Sequence, residues 1–204
     1  MIDSATMRQL LLAERDPATR HLLLVGWVRS WVEAMGCAPP FVVGGMVVEL
    51  WTSGGYMTRD IDIKGTRGAI DSALDALGFP PSRQGSSLRG APDLDLWVDW
   101  RGEGVNSSIE NQALMIDVKT PYGLVVRIVG VEDIVADRLA ASVFWKVRDA
   151  ALWAGQILET ALETGRNIDF DYLRAKAEKE GFLAELEAFL EPFTRGKPGG
   201  SDGG

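Results

Sequence analysis

Histidine and cysteine each occur once in the 204 residues, as His21 and Cys37. A single cysteine excludes an intrachain disulfide, and one of each excludes a zinc centre built from several such ligands of this chain. Cys37 reads as an inert, partly buried small side chain and His21 as a surface residue of a helix. Basic residues are in deficit: 21 Lys and Arg stand against 29 Asp and Glu, a formal charge of −8, which argues against broad DNA or RNA binding. Long apolar runs are missing too. Leu22–Val28 and Phe41–Leu50 are too short to span a bilayer, and residues 1–20 carry scattered charges rather than the apolar centre of a signal peptide. The expectation is a cytoplasmic protein with no membrane partner.

What is present is the material of a folded domain. Hydrophobic residues make up 46% and charged residues 25%, so a sizeable core is available, and the seven tryptophans read as core or pocket wall. Leu10–Met35 reads as one helix, with an apolar face through Leu22, Val25, Trp27, Val28, Trp31 and Val32. Phe41-Val42-Val43 is a short strand that ends in Gly44-Gly45, and Met46–Trp51 begins a helix. Tyr56–Lys64 alternates as a strand with Asp60 and Asp62 on one face and Ile61 and Ile63 on the other. Ala69–Leu77 is a short helix. Phe79–Pro92 is loop-like, with room for a hidden strand. Leu94–Trp100 alternates again, placing Asp95, Trp97 and Asp99 on one side. Two strands, Ile116–Lys119 and Leu124–Val129, are joined by Thr120-Pro121-Tyr122-Gly123. From Glu132 the chain turns helical, with segments expected to Leu162, then Asp171–Gly181 and Phe182–Leu190. The expected division is residues 1–130 as an α/β core with its N-terminal helix, 131–195 as a helical part, and a disordered Gly-rich tail over 196–204.

One unit carries chemistry. Phe41-Val42-Val43-Gly44-Gly45 is followed, after fourteen residues, by Asp60-Ile61-Asp62-Ile63. Two glycines between a strand and a helix let backbone N–H groups approach a phosphate, where the helix start adds favourable partial charge. Two aspartates at i and i+2 of a strand point the same way and suit hard cations such as Mg²⁺ that bridge substrate phosphates. A pair of such ions stabilises in-line attack at phosphorus. Arg59, next to Asp60, is expected to point away from the two carboxylates.

This segment resembles the signature of the nucleotidyltransferase-fold, polymerase-β-like superfamily, in which a Gly-Gly or Gly-Ser helix start precedes an Asp-x-Asp strand. Val43-Gly44-Gly45 with Thr58-Arg59-Asp60-Ile61-Asp62-Ile63 is most similar to the abortive-infection, AbiE-type toxins and their relatives, and also to the aminoglycoside nucleotidyltransferases. The resemblance implies an α+β fold: a nucleotidyltransferase-like mixed sheet flanked by helices, with a C-terminal helical part. It implies a third metal-binding carboxylate on a later strand, for which Asp99 is taken and Asp95 is the rival, since strand parity does not separate them. Further on, Val131–Ala141 is similar to a toxin-branch helix with a basic residue before Leu-x-Ala, and Lys146-Val147-Arg148-Asp149 to the motif after it. Arg138, Lys146 and Asp149 are thereby implied as nucleotide-binding residues beside Gly44 and Gly45. The sequence departs from that branch in three places. Gly45 stands where Ser is frequent, Leu152 where a second Asp is frequent, and Arg138 where Lys is commoner.

The function so implied is Mg²⁺-dependent transfer of a nucleoside monophosphate from an NTP to a hydroxyl, with Asp60, Asp62 and Asp99 catalytic and holding two Mg²⁺ ions. The acceptor is left open among a tRNA or other RNA end, a protein and a small molecule, and a toxin of a toxin–antitoxin system would also bind an antitoxin. The alternatives are an inactive or weakly active nucleotide-binding protein of the same fold, and an aminoglycoside-type enzyme.

Overall fold

A computed structural model of the chain describes residues 2–104, 110–120 and 122–194. The tail over 196–204 and Pro121 of the expected turn lie outside the described residues. Two compact units divide the chain, Met1–Ile134 and Val135–Gly204.

The first unit opens with two helices where the apolar period suggests one. Helix α1 is Ser4–Ala13 and α2 is Pro17–Ala34. The break is local chemistry: the Asp16 side chain accepts the Thr19 N–H at 2.8 Å and Pro17 takes the first helical position, so a fresh helix starts there. Asp3 caps α1 in the same way. Strand β1 (Phe41–Val43) runs into α3 (Gly45–Trp51). Strand β2 (Asp60–Lys64) leads to α4 (Arg67–Ala76), and the chain then forms β3 (Leu88–Ala91), β4 (Leu96–Trp100), β5 (Ile116–Lys119) and β6 (Val125–Ile128). The expected loop over residues 79–92 does hold a strand, β3.

The six strands form one mixed sheet in the order β3-β4-β2-β1-β6-β5. Strand β2 is central, antiparallel to β1 and parallel to β4, while β3 and β5 are antiparallel edges. Ile61, Ile63, Leu96, Val98, Val126 and Ile128 are buried, so one face of β2, β4 and β6 feeds the core. Helix α2 packs on β6 and α4. Gly26 allows the crossing: a Cβ there would stand 2.7 Å from Leu124 Cβ.

Two buried cations are held by the sheet, one on a central strand and one on an edge strand. Lys64 pairs with Glu110 at 2.6 Å, both buried. Arg89 of β3, also buried, donates to the carbonyls of Asp71, Phe79 and Pro80 and to the carboxylates of Asp71 and Asp75. It thus ties α4 and the following loop to the sheet edge. Arg89→Ala is expected to cost about 3 kcal/mol, because backbone carbonyls lose a charged donor and the emptied site does not refill. Urea unfolding measures this, and a loss under about 1 kcal/mol would show the clamp to be dispensable.

The second unit is helical. Helix α5 (Val131–Trp145) spans the division, and α6 (Ala150–Glu163), α7 (Phe170–Glu180) and α8 (Leu183–Thr194) follow. Gly181 closes α7 in the left-handed conformation with φ 84°. Arg174 of α7 reaches Glu187 of α8 at 2.7 Å, and Phe144 meets Phe182 edge-on.

Candidate functional site

The sheet brings the three aspartates to one face. Asp60 and Asp62 alternate on β2, and the parallel register sets Asp62 opposite Asp99 and Asp60 opposite Trp97. Register also places the two rivals for the third position differently. Asp95 precedes β4 in a turn, at φ 52°, and is exposed. Asp99 is the strand partner of Asp62 and is half-buried.

On the other side of Asp62 lies Val43, its partner on β1, and the chain then turns into α3 through Gly44-Gly45. Gly44 has φ 66° and ψ −141°, and a Cβ on it would fall 2.2 Å from Asp62 Oδ2. The Gly45 N–H donates to the Asp62 carboxylate. The glycine pair therefore serves Asp62 directly, by letting the start of α3 close on it. A Cβ on Gly45 would stand 2.8 Å from Thr58 Oγ1. The hydroxyl that a serine would supply at position 45 is thus replaced in space by that of Thr58, which contacts Asp60 Oδ1 at 3.1 Å. Thr52 and Ser53 do not fill this role. Thr52 donates back to carbonyls of α3, and Ser53 is exposed.

Electrostatics single out Asp62. Burial raises its pKa from 3.8 to about 6, with the Arg101 guanidinium opposing the shift and Asp60 and Asp99 adding to it. Arg101 lies across the pair: its Nη1 is 3.0 Å from Asp99 Oδ2 and its Nε is 3.6 Å from Asp62 Oδ1. Ser87 donates to Asp99 as well. Among the described residues, no three His, Cys, Asp or Glu side chains stand together as a ready cation cage. The donor chemistry nevertheless suits a hard divalent cation. Two facing carboxylates, one of them desolvated, are balanced by a single guanidinium that is 54% exposed.

Beside Asp60 opens a cavity of about 290 Å³, lined by Pro17, His21, Met57, Thr58, Arg59, Asp95 and Trp97. Two expectations change here. His21 is not a surface residue but 3% exposed, because the apolar face of α2 is broad enough to take it inside. Arg59 precedes β2 instead of alternating within it, and contributes to the cavity wall. Sequence pattern does not single out Thr58, Ser87 or Arg101. Thr58 has a signal, being the hydroxyl nearest the Asp-x-Asp strand; Ser87 and Arg101 are found only through strand pairing.

Arg138, Lys146 and Asp149 belong to the second unit. Arg138, on α5, pairs with its neighbour Asp137 at 2.9 Å. Lys146 is exposed at φ 53° between α5 and α6, and Asp149 sits at the start of α6 with no capping hydrogen bond from its side chain.

Three solved structures share this architecture. The antibiotic-resistance factor ANT(2'')-Ia in solution matches with a TM-score of 0.51 and 15% identity, covering 82% of this chain and 95% of that one. A crystal structure of ANT(2'')-Ia in complex with adenylyl-2''-tobramycin matches with a TM-score of 0.51 and 13% identity, over 80% and 97% of the two chains. An antigenic nucleotidyltransferase-like protein from Paracoccidioides brasiliensis matches with a TM-score of 0.51 and 10% identity, over 93% and 94%. No family model and no curated protein matches the chain. The fold is nucleotidyltransferase-like: a mixed six-stranded sheet with flanking helices.

Proposed function

We propose that the protein is a Mg²⁺-dependent nucleotidyltransferase that moves a nucleoside monophosphate from an NTP to a hydroxyl. The observation that carries this reading is the convergence of Asp60, Asp62 and Asp99 on one sheet face against the Gly44-Gly45 turn. The neighbours' nucleotidyltransferase fold supports it.

In this reading Asp60, Asp62 and Asp99 hold the cation. When bound, Mg²⁺ would neutralise the triphosphate and draw charge from the phosphorus under attack. Asp62 is oriented by the Gly45 N–H, and Asp60 by the Thr58 hydroxyl. Arg101, which lies against Asp62 and Asp99, would have to release them for a cation to bind, and its guanidinium would then suit a phosphate oxygen. Phosphate contacts from Arg138 and Lys146, with Asp149 as their partner, rest on the motif resemblance, as does an AbiE-like toxin role with an antitoxin partner.

A second reading, a binding module of the same fold with little turnover, is favoured by the guanidinium lying across the carboxylates and, among the described residues, by the lack of a preformed cage. Calorimetry with Mg²⁺-ATP beside a pyrophosphate-release assay separates the two. Binding with release supports the enzyme, binding without release the module, and no binding defeats both. Radiolabelled transfer to total tRNA, to protein and to aminoglycosides identifies the acceptor. The last arm is included because one neighbour's structure holds adenylyl-2''-tobramycin.

A further inference from the structure

Buried polar atoms without a hydrogen-bond partner are costly, and each calls for an explanation in a ligand, a buried water or a chemical role. Two stand together where His21 lines the cavity near Asp60, with Glu49 packed against it. His21 on α2 and Glu49 on α3 are both nearly sealed from solvent. His21 Nδ1 and Glu49 Oε2 have no hydrogen-bond partner and lie 3.7 Å apart. That is just beyond hydrogen-bond length, and a small rotation of either side chain closes it, as pairs in ligand-free sites do when a ligand seats.

The pair is built into the site. His21 lines the cavity, and its Nδ1 is turned to Glu49. Thr58 couples the pair to the carboxylates: its N–H donates to Glu49, and its hydroxyl contacts Asp60. Trp97, the strand partner of Asp60, forms another part of the wall. The cavity wall therefore carries the His21 imidazole together with Thr58, whose hydroxyl contacts Asp60.

We propose that His21 is a catalytic residue that takes the proton of the acceptor hydroxyl, with Glu49 holding Nδ1–H so that Nε2 faces the cavity bare. This role rests on the nucleotidyl-transfer reading above. As the hydroxyl oxygen bonds to the α-phosphorus, its O–H bond breaks and the proton passes to Nε2. The phosphorus–oxygen bond to pyrophosphate breaks, and the electron pair leaves with pyrophosphate. The charged groups acting on His21 are Asp16 and Arg20 on the approach to and start of α2, Glu49 on α3, Asp60 on β2 and Asp95 before β4. Burial dominates and lowers the imidazole pKa from 6.5, so the ring is neutral and able to accept a proton near neutral pH.

With one histidine in the chain, every imidazole nitrogen signal is that of His21. Nitrogen-15 NMR of the full chain labelled at histidine is expected to show the Nδ1–H tautomer at pH 7.5, in the parent and in Glu49→Gln. The Nε2–H tautomer in the parent overturns the proposal without any variant having to fold. His21→Gln is expected to lower pyrophosphate release from Mg²⁺-ATP, with water as the hydroxyl, about 100-fold, and to leave Mg²⁺-ATP affinity within about twofold. Unchanged release in a folded His21→Gln protein removes the role alone. A parent that binds no Mg²⁺-ATP removes the nucleotidyltransferase reading and this role with it.

Discussion

Asp62→Asn is expected to abolish Mg²⁺-dependent NTP turnover, by about 10³-fold or more, and yet to melt at a higher temperature than the parent. The two effects have one cause. Asp62 is only 22% exposed, and burial beside Asp60 and Asp99 raises its pKa from 3.8 to about 6. A carboxyl whose pKa is raised on folding binds its proton more tightly in the folded state. Its stabilising contribution is therefore full below pH 3.8 and is lost as pH rises through about 6. At pH 7.5 the ionised group is a liability of about 2 kcal/mol, discounted for its contact with solvent. Asparagine keeps an acceptor for the Gly45 N–H and carries no charge. The expected gain is a melting point higher by about 2–4 °C at pH 7.5, vanishing toward pH 4. Calorimetric melting across that range, beside pyrophosphate release, checks both halves. A variant that is inactive but less stable would mean that Asp62 is structural, and retained turnover would remove it from the chemistry.

Gly44→Ala is expected to lose stability and activity together. At φ 66° and ψ −141° the backbone is open to glycine and strained for other residues, at a cost of about 1–3 kcal/mol. The new Cβ would also fall 2.2 Å from Asp62 Oδ2, so the carboxylate must leave its place or the turn must open. The combined loss is expected to reach about 3–4 kcal/mol by urea unfolding. A double-mutant cycle isolates the steric part. Removing the carboxylate with Asp62→Ala relieves the collision, so the double variant is expected to lose less than the two single changes added together. Strict additivity would show that the turn and the carboxylate do not touch in solution.

Much of this site is legible in the order of residues, because β-strand alternation is strict. Asp60 shares a face with Asp62, and Trp97 with Asp99, by parity alone. The choice of Asp99 over Asp95 needs register, since only strand pairing sets Asp99 opposite Asp62 and only the turn at φ 52° takes Asp95 off the strand. Strand β3 is obscured by Arg89, a charged residue at the edge of a Pro- and Gly-rich stretch, whose burial depends on carbonyls up to eighteen residues away. The break between α1 and α2 has a local signal in Asp16-Pro17, yet the apolar period runs through it. His21 escapes for a different reason. A histidine in a helix carries no mark of burial, and its partner Glu49 lies on another helix. The glycine and aspartate motifs thus identify a fold by local pattern, whereas Arg101, Ser87 and His21 depend on contacts between segments distant in the chain.

Arg101 has a practical consequence for how the protein is made and handled. Where a domain depends on a metal to offset clustered ligands, the chelated protein unfolds, and newly synthesised chain must wait for the ion. Here a tethered guanidinium already lies against Asp62 and Asp99. On the proposed Mg²⁺ reading, a sample stripped with EDTA is expected to remain folded and reloadable, so that occupancy of the site can be varied without varying the fold.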